Sequence, residues 1–170
     1  VTILSSFIGI KLGIFSAINV KNYKDRVLRV FTYIFYAIPI FWLGIILKYL
    51  FSYQIKWFPS QGYVSAVNQR ILDQNRITGF GIFDSIITGN WIITLDILYH
   101  LYIPVFILTL SNVAGLTRYV RSNVLSILEQ DYIRSARAKG CLPKDVINKH
   151  ALRNSLVPTV TLIGINFGYL

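Results

Sequence analysis

The residues best placed to do chemistry in this chain lie in one basic stretch, EQDYIRSARAKGCLPKDVINKHALRNSLVP, at positions 129–158. Asp131, Tyr132, Arg134, Arg137, Lys139, His150, Arg153 and Asn154 supply charge and hydrogen-bonding groups. They do not include the paired carboxylates or clustered imidazoles that bond-making or metal binding would call for. No G-x-x-x-x-G-K-[ST] phosphate loop occurs anywhere in the sequence. What such a row of cations can do is meet acidic groups or backbone carbonyls on a partner surface.

Two short helices joined by a break would hold these groups. Glu129 and Asp131 stand at the front of the first, where negative charge offsets the positive end of the helix dipole. Ile133, Ala136 and Arg137 fall on one side at helical spacing, with Ala and Arg as good helix formers, and Ala136 allows close approach. Gly140 closes the first helix, because glycine takes the left-handed conformation at low cost. Pro143 suits the first turn of the second helix, and Val146, Ile147, His150 and Ala151 form a narrow apolar stripe there. A solvated loop between membrane spans and a DNA-binding helix-turn-helix both fit this local pattern. The flanks decide against DNA, since an apolar run leads directly into each end.

Composition points the same way. The chain is 54% hydrophobic and only 14% charged, with a mean hydropathy of +0.55. Soluble domains carry about a quarter of their residues as charges. The net charge of +10 lies in loops between apolar runs, which favours an anionic membrane surface over nucleic acid. Cys141 is the single cysteine, which excludes an internal disulfide framework. The sequence opens inside one apolar run and closes inside another, and so reads as an internal part of a larger membrane protein.

Along the chain, 1–18 reads as the end of a span, with Gly9 and Gly13 in a G-x-x-x-G pair that lets helices approach closely. Residues 19–29 form a basic hinge in which Asp25 is the single acid among Lys21, Lys24, Arg26 and Arg29. A second span covers 30–52, interrupted by Pro39, with Trp42, Tyr49, Tyr53 and Trp57 toward its far end as an aromatic belt. The break at Pro39 is either a packing kink or a bend beside a permeation path. Residues 53–96 form the longest loop; its acids Asp73, Asp84 and Asp96 read as solvated, and 83–93 as an amphipathic segment at the interface. A third span covers 97–117, where Ser111 and Asn112 would face other helices or an aqueous path. The basic loop 118–154 follows, and 155–170 starts a last span carrying Gly164, Asn166 and Gly168. The expectation is an all-α polytopic helix bundle with about four spans, the first and last incomplete. The basic segments 19–29 and 118–154 belong in the cytoplasm and the nearly neutral 53–96 outside.

The basic stretch resembles the loop of permease subunits of peptide and nickel ABC transporters, the binding-protein-dependent import family. That family carries D-Y-(V/I)-R-(T/S)-A-R-A-K-G followed by H-A-L-R-N-x-L-(L/V)-P. The chain reads DYIRSARAKG at 131–140 and HALRNSLVP at 150–158. PIFWLG at 39–44 and WFPSQGY at 57–63 are similar to two further family runs. Against the general importer motif E-A-A-x3-G, Arg134 stands for the glutamate and Ser135 for the first alanine, as in the peptide subclass. Cys141 and Pro143 are less usual in the turn.

The resemblance implies a transmembrane permease of an ATP-driven importer, multi-pass in the cell's plasma or inner membrane, that forms a path for peptides or a related solute. It implies no enzyme activity and no cofactor on this chain, with ATP bound and hydrolysed on partner subunits. The implied partners are a second homologous permease subunit, two cytoplasmic ABC ATPases, an extracytoplasmic substrate-binding protein and the lipid bilayer, with no nucleic acid. Asp131, Tyr132, Arg134, Ala136, Arg137, Ala138, Lys139, Gly140, His150, Arg153 and Asn154 would form the ATPase-coupling loop. Oligopeptides, dipeptides, nickel and sugars are all carried by permeases of this pattern. The alternative is a passive channel or structural membrane protein whose basic loop binds anionic lipid.

Overall fold

The computed structural model of the chain describes residues 1–168, apart from the side chain of Asn166. Tyr169 and Leu170, the end of the expected 155–170 span, lie outside the described residues, as does any role for the Asn166 side chain. Among the described residues the fold is all-α, with no strand. The described residues form two compact units, one from residues 1–38 with 108–168 and one from residues 39–107.

The first unit is built on small residues. Helix α1 (Thr2–Ile18) buries Ser5, Ser6, Gly9, Gly13, Ser16 and Ala17, while Ile3, Leu4, Phe7 and Phe15 point away from the protein. That is the reverse of a soluble helix. In lipid, outward apolar side chains are solvated by the acyl chains, and close packing through small residues holds helices together. A Cβ on Gly9 would come within 2.7 Å of the Leu116 Cβ, and one on Gly13 within 2.6 Å of the Val120 Cβ. The G-x-x-x-G pair at 9 and 13 is therefore the seam against α6 (Trp91–Leu128). The similar pair at Gly164 and Gly168 makes no such approach, since a Cβ there meets nothing within 4 Å. Helix α2 (Tyr23–Ala37) completes the seam's neighbourhood, with Asn22 as its N-cap.

Helix α6 is the single described helix that is alone long and apolar enough to cross a membrane. Its 38 residues rise about 57 Å, well beyond the ~30 Å hydrocarbon core. The expected 97–117 span is its middle, and Pro104 is accommodated without ending it. The helix also absorbs residues expected as loop on both sides. The 30–52 span takes a different form: α2 ends at Ala37, Ile38 and Pro39 are extended, and α3 (Ile40–Lys48) begins anew, running into a π-helical turn at Tyr49–Gln54. Pro39 lacks the N–H a continuous helix needs, and it biases Ile38 away from helical geometry. The interruption is a break rather than a kink, and α2 and α3 reach spanning length only when taken together.

In the second unit, α4 (Ala66–Gln74) and α5 (Gly81–Ile87) pack beside the start of α6 around Val64, Leu72, Ile93 and Ile97. Asp84 and Asp96 are not solvated as expected. The Asp84 carboxylate accepts from the Thr78 N–H at 2.7 Å, the Thr78 hydroxyl at 2.6 Å and the Gly79 N–H at 3.2 Å. Asp96 accepts from the Ser65 N–H and hydroxyl and from the Asn68 amide, and His100 Nδ1 lies 3.2 Å from its Oδ1. Hydroxyl and amide donors replace water at both carboxylates, leaving Asp73 as the exposed acid of the three.

Candidate functional site

Helix α6 ends at Leu128, and after a two-residue turn Gln130 stands at the N-cap of α7 (Asp131–Ala138), its backbone carbonyl accepting from the Arg134 N–H while its side chain makes no capping bond. Gly140 ends α7 at φ +80°. Its N–H donates to the Arg137 carbonyl and the Cys141 N–H to the Ala136 carbonyl, the paired bonds of a Schellman stop. Leu142 is extended, Pro143 opens the next helical segment, α8 (Pro143–Asp145), and a π-helical turn at Val146–Ala151 leads into α9 (Leu152–Gly168). The result is a helical hairpin placed by residues whose backbone preferences match each corner.

Its core is small and closed. Ile133 and Ala136 from α7 meet Val146 and Ala151 from the π-helical turn, with Ile127 and Leu128 packed against them. The expected stripe is thus narrower than α-helical spacing suggested. Val146 and Ala151, five apart, share a face because the turn between them is π-helical, while Ile147 and His150 are half-buried and Arg137 is exposed. A polar clasp closes one side. The Asn154 amide donates to the Tyr132 hydroxyl at 3.1 Å and to the His150 carbonyl at 3.3 Å.

The structure therefore brings Tyr132, Ala136, His150 and Asn154 together as parts of the hairpin's own architecture. Asp131 pairs with Arg134 at 3.4 Å, on side chains 95% and 71% exposed. Arg137, Ala138, Lys139, Gly140 and Arg153 face outward. These cations are a surface, not a pocket, and nothing in their arrangement could activate a nucleophile or move a proton.

A second cluster stands behind the hairpin, and the sequence reading did not find it. Asp25 is fully buried and accepts from both Arg121 Nε at 3.0 Å and Arg121 Nη2 at 3.2 Å, a bidentate pair. The Ser16 hydroxyl also donates to it, and Arg29 Nε lies 3.3 Å away. One carboxylate thus ties α1, α2 and α6 together. The signal was present, as Asp25 is the single acid in a basic segment, but its partner is 96 residues away. Leu128 links this region to the hairpin, packing both on the Ile133 cluster and on the Ala17, Val120 and Val124 cluster. Farther along α6, Ser111 and Asn112 line a 580 Å³ cleft with Tyr36, Arg118 and Leu162, so the polar residues expected to face helices or water do border open space.

With the geometry in place, comparison with known proteins assigns the class. Residues 9–170 match the family described as the binding-protein-dependent transport system inner membrane component, and the chain belongs to that family. It is 41% identical over 164 residues to the oligopeptide transport system permease protein AppB of Bacillus subtilis (strain 168), covering 96% of this chain and 45% of that protein. It is 36% identical over 168 residues to the dipeptide transport system permease protein DppB of Escherichia coli (strain K12), covering 99% and 49%. The di/tripeptide transport system permease protein DppB of Pseudomonas aeruginosa (strain UCBPP-PA14) is 35% identical over 162 residues, covering 95% and 47%. The chain spans about half the length of these relatives. All three relatives are named as peptide transport system permeases.

Proposed function

We propose that this chain is part of the multi-pass translocation path of an ATP-driven peptide importer, and that the 129–158 hairpin couples it to cytoplasmic ATPases. The observation that carries the reading is the hairpin's division of labour. Its apolar residues form a closed core and its cations form an outward row, on a corner set by Gly140. A stiff projection joined to α6 on one side and α9 on the other can transmit displacement to both. Relatives named for oligopeptide and dipeptide transport support peptides as the solute class. The implied assembly has a second permease subunit, two ATPases that hold and hydrolyse the ATP, and an extracytoplasmic substrate-binding protein.

The test is Gly140→Val in the full transporter. A Cβ at position 140 meets nothing within 4 Å, so the substitution acts through the backbone and not by a clash. A β-branched residue at φ +80° is strained by about 1–3 kcal/mol, and the corner should shift. Uptake and ATPase association should fall while membrane insertion is unchanged, and Gly140→Asn, which tolerates this conformation, should be milder. Normal uptake by the valine variant would sink the coupling assignment.

A further inference from the structure

Helix α5 is inside out. Gly81, Asp84 and Ser85 face the protein and are buried, with Asp84 only 1% exposed. Phe80, Phe83, Ile86 and Ile87 point away from it, Phe83 at 60% exposure. The inward side is polar and satisfied: Thr78 and Gly79 hold the Asp84 carboxylate, and the Ser85 and Thr94 hydroxyls are 2.8 Å apart. The helix has no freedom to roll its apolar side inward. A Cβ on Gly81 would already lie within 2.8 Å of Leu72 Cδ2 and of the Tyr63 hydroxyl. In water, an amphipathic helix buries the opposite face.

The occupant of the outward face follows from what it adjoins. Past the turn at Thr88–Asn90 the exposed apolar surface continues into Trp91, Ile92, Leu95 and Leu98 at the start of α6, the helix with spanning length. From Trp91 to Arg118, the first cation of the helix, α6 rises about 40 Å, and the one acid between them, Asp96, lies near the Trp91 end with its carboxylate held by Ser65, Asn68 and His100. That matches the ~40–45 Å of a bilayer with its headgroup regions. Trp91 then sits at headgroup level, where tryptophan is enriched, and α5 comes immediately before it in the chain.

We propose that α5 lies in the headgroup–acyl boundary of the outer leaflet, with Phe80, Phe83, Ile86 and Ile87 on lipid, anchoring the external loop to the bilayer. The loop is a surface-bound element and not a free projection. This rests on the family's place in the membrane and not on the coupling reading, so either can fail alone.

The experiment places nitroxide labels by Phe83→Cys, Ile87→Cys and, as a water-exposed reference on α4, Gln74→Cys. The full-length transporter, its other cysteines replaced, is assembled in phosphatidylcholine–phosphatidylglycerol vesicles. Power saturation reads collision with oxygen, which concentrates in lipid, against a water-soluble nickel chelate. The oxygen-to-nickel ratio at 83 and 87 should exceed that at 74 several-fold. A ratio at or below the reference would put α5 in water. Low collision with both reagents would mean that another protein subunit covers the face. Either result overturns the proposal.

Discussion

Helices α5 and α7 are of nearly equal length, seven and eight residues, and they face opposite ways. Helix α7 buries Ile133 and Ala136 and exposes its charges; α5 buries Asp84 and Ser85 and exposes Phe83, Ile86 and Ile87, with Phe80 exposed at its N-cap. Both are amphipathic, and each keeps its inward groups satisfied. What differs is the medium each outward face is built to meet. A charged face costs nothing in water and is expensive in lipid, while an apolar face has the opposite preference. The comparison separates two regions that hydropathy averaged over a window would merge into loops.

The largest effect that should break this contrast is loss of the α7 core. Ile133 is fully buried and is the largest side chain of a cluster with Ala136, Val146 and Ala151, against which Ile127 and Leu128 pack. Ile133→Ala should destabilise the hairpin by about 2–5 kcal/mol. Hydrogen exchange of the amides across 131–151 should accelerate to match, with exchange in α5 unchanged. A smaller loss would show that the hairpin core is not what holds α7.

The next effect lies on α5 and depends on pH. Hydrogen bonding from the Thr78 hydroxyl, aided by backbone N–H groups and opposed by burial, holds the Asp84 carboxyl below its ordinary value. A depressed carboxylate contributes stability that is fully present above its unfolded pKa of about 3.9. That contribution is lost as pH falls through the lower folded value. Protection of the Thr78 and Gly79 amides should therefore persist through neutral pH and decline only in acid below about pH 4. Asp84→Asn should weaken that protection at neutral pH and flatten the decline. If the wild-type loop opened already near pH 6, Asp84 would not be its fastening.

How much of this was legible depended on the range of the interaction. The hairpin could be read because its determinants are local: Asp131 at a helix start, Gly140 at a stop, and Pro143 at a restart. The Gly9 and Gly13 seam was legible as a possibility, but the identical spacing at Gly164 and Gly168 shows that the motif does not by itself report a contact. The Asp25–Arg121 pair was invisible to local reading, because spacing along one helix says nothing of a partner 96 residues off. Asp84 and Asp96 were misread as solvated for a related reason. Their donors Thr78, Ser65 and Asn68 are uncharged, so nothing of opposite charge marked Asp84 as held, and Asp96 had only His100, four residues on. The π-helical turn at Val146–Ala151 left no signature in the sequence that we can identify.

The smallest effect concerns the charged face of α7 itself. Arg134 and Asp131 approach to 3.4 Å, but both side chains are mostly in water. Such a pair is worth about 0–1 kcal/mol and is screened by salt. Arg134→Gln should leave amide exchange in the hairpin within experimental scatter, and should change uptake by no more than about fivefold, the factor that 1 kcal/mol allows. On the proposed coupling role, a surface of several cations beside a shaped apolar core does not depend on one exposed contact. A hairpin that unravelled in this variant would mean that the outward face of α7 is structural, and the contrast with α5 would fail. An intact hairpin with uptake lost far beyond fivefold would instead single out Arg134 as a desolvated contact with the partner subunit, where burial makes one charge worth several exposed ones.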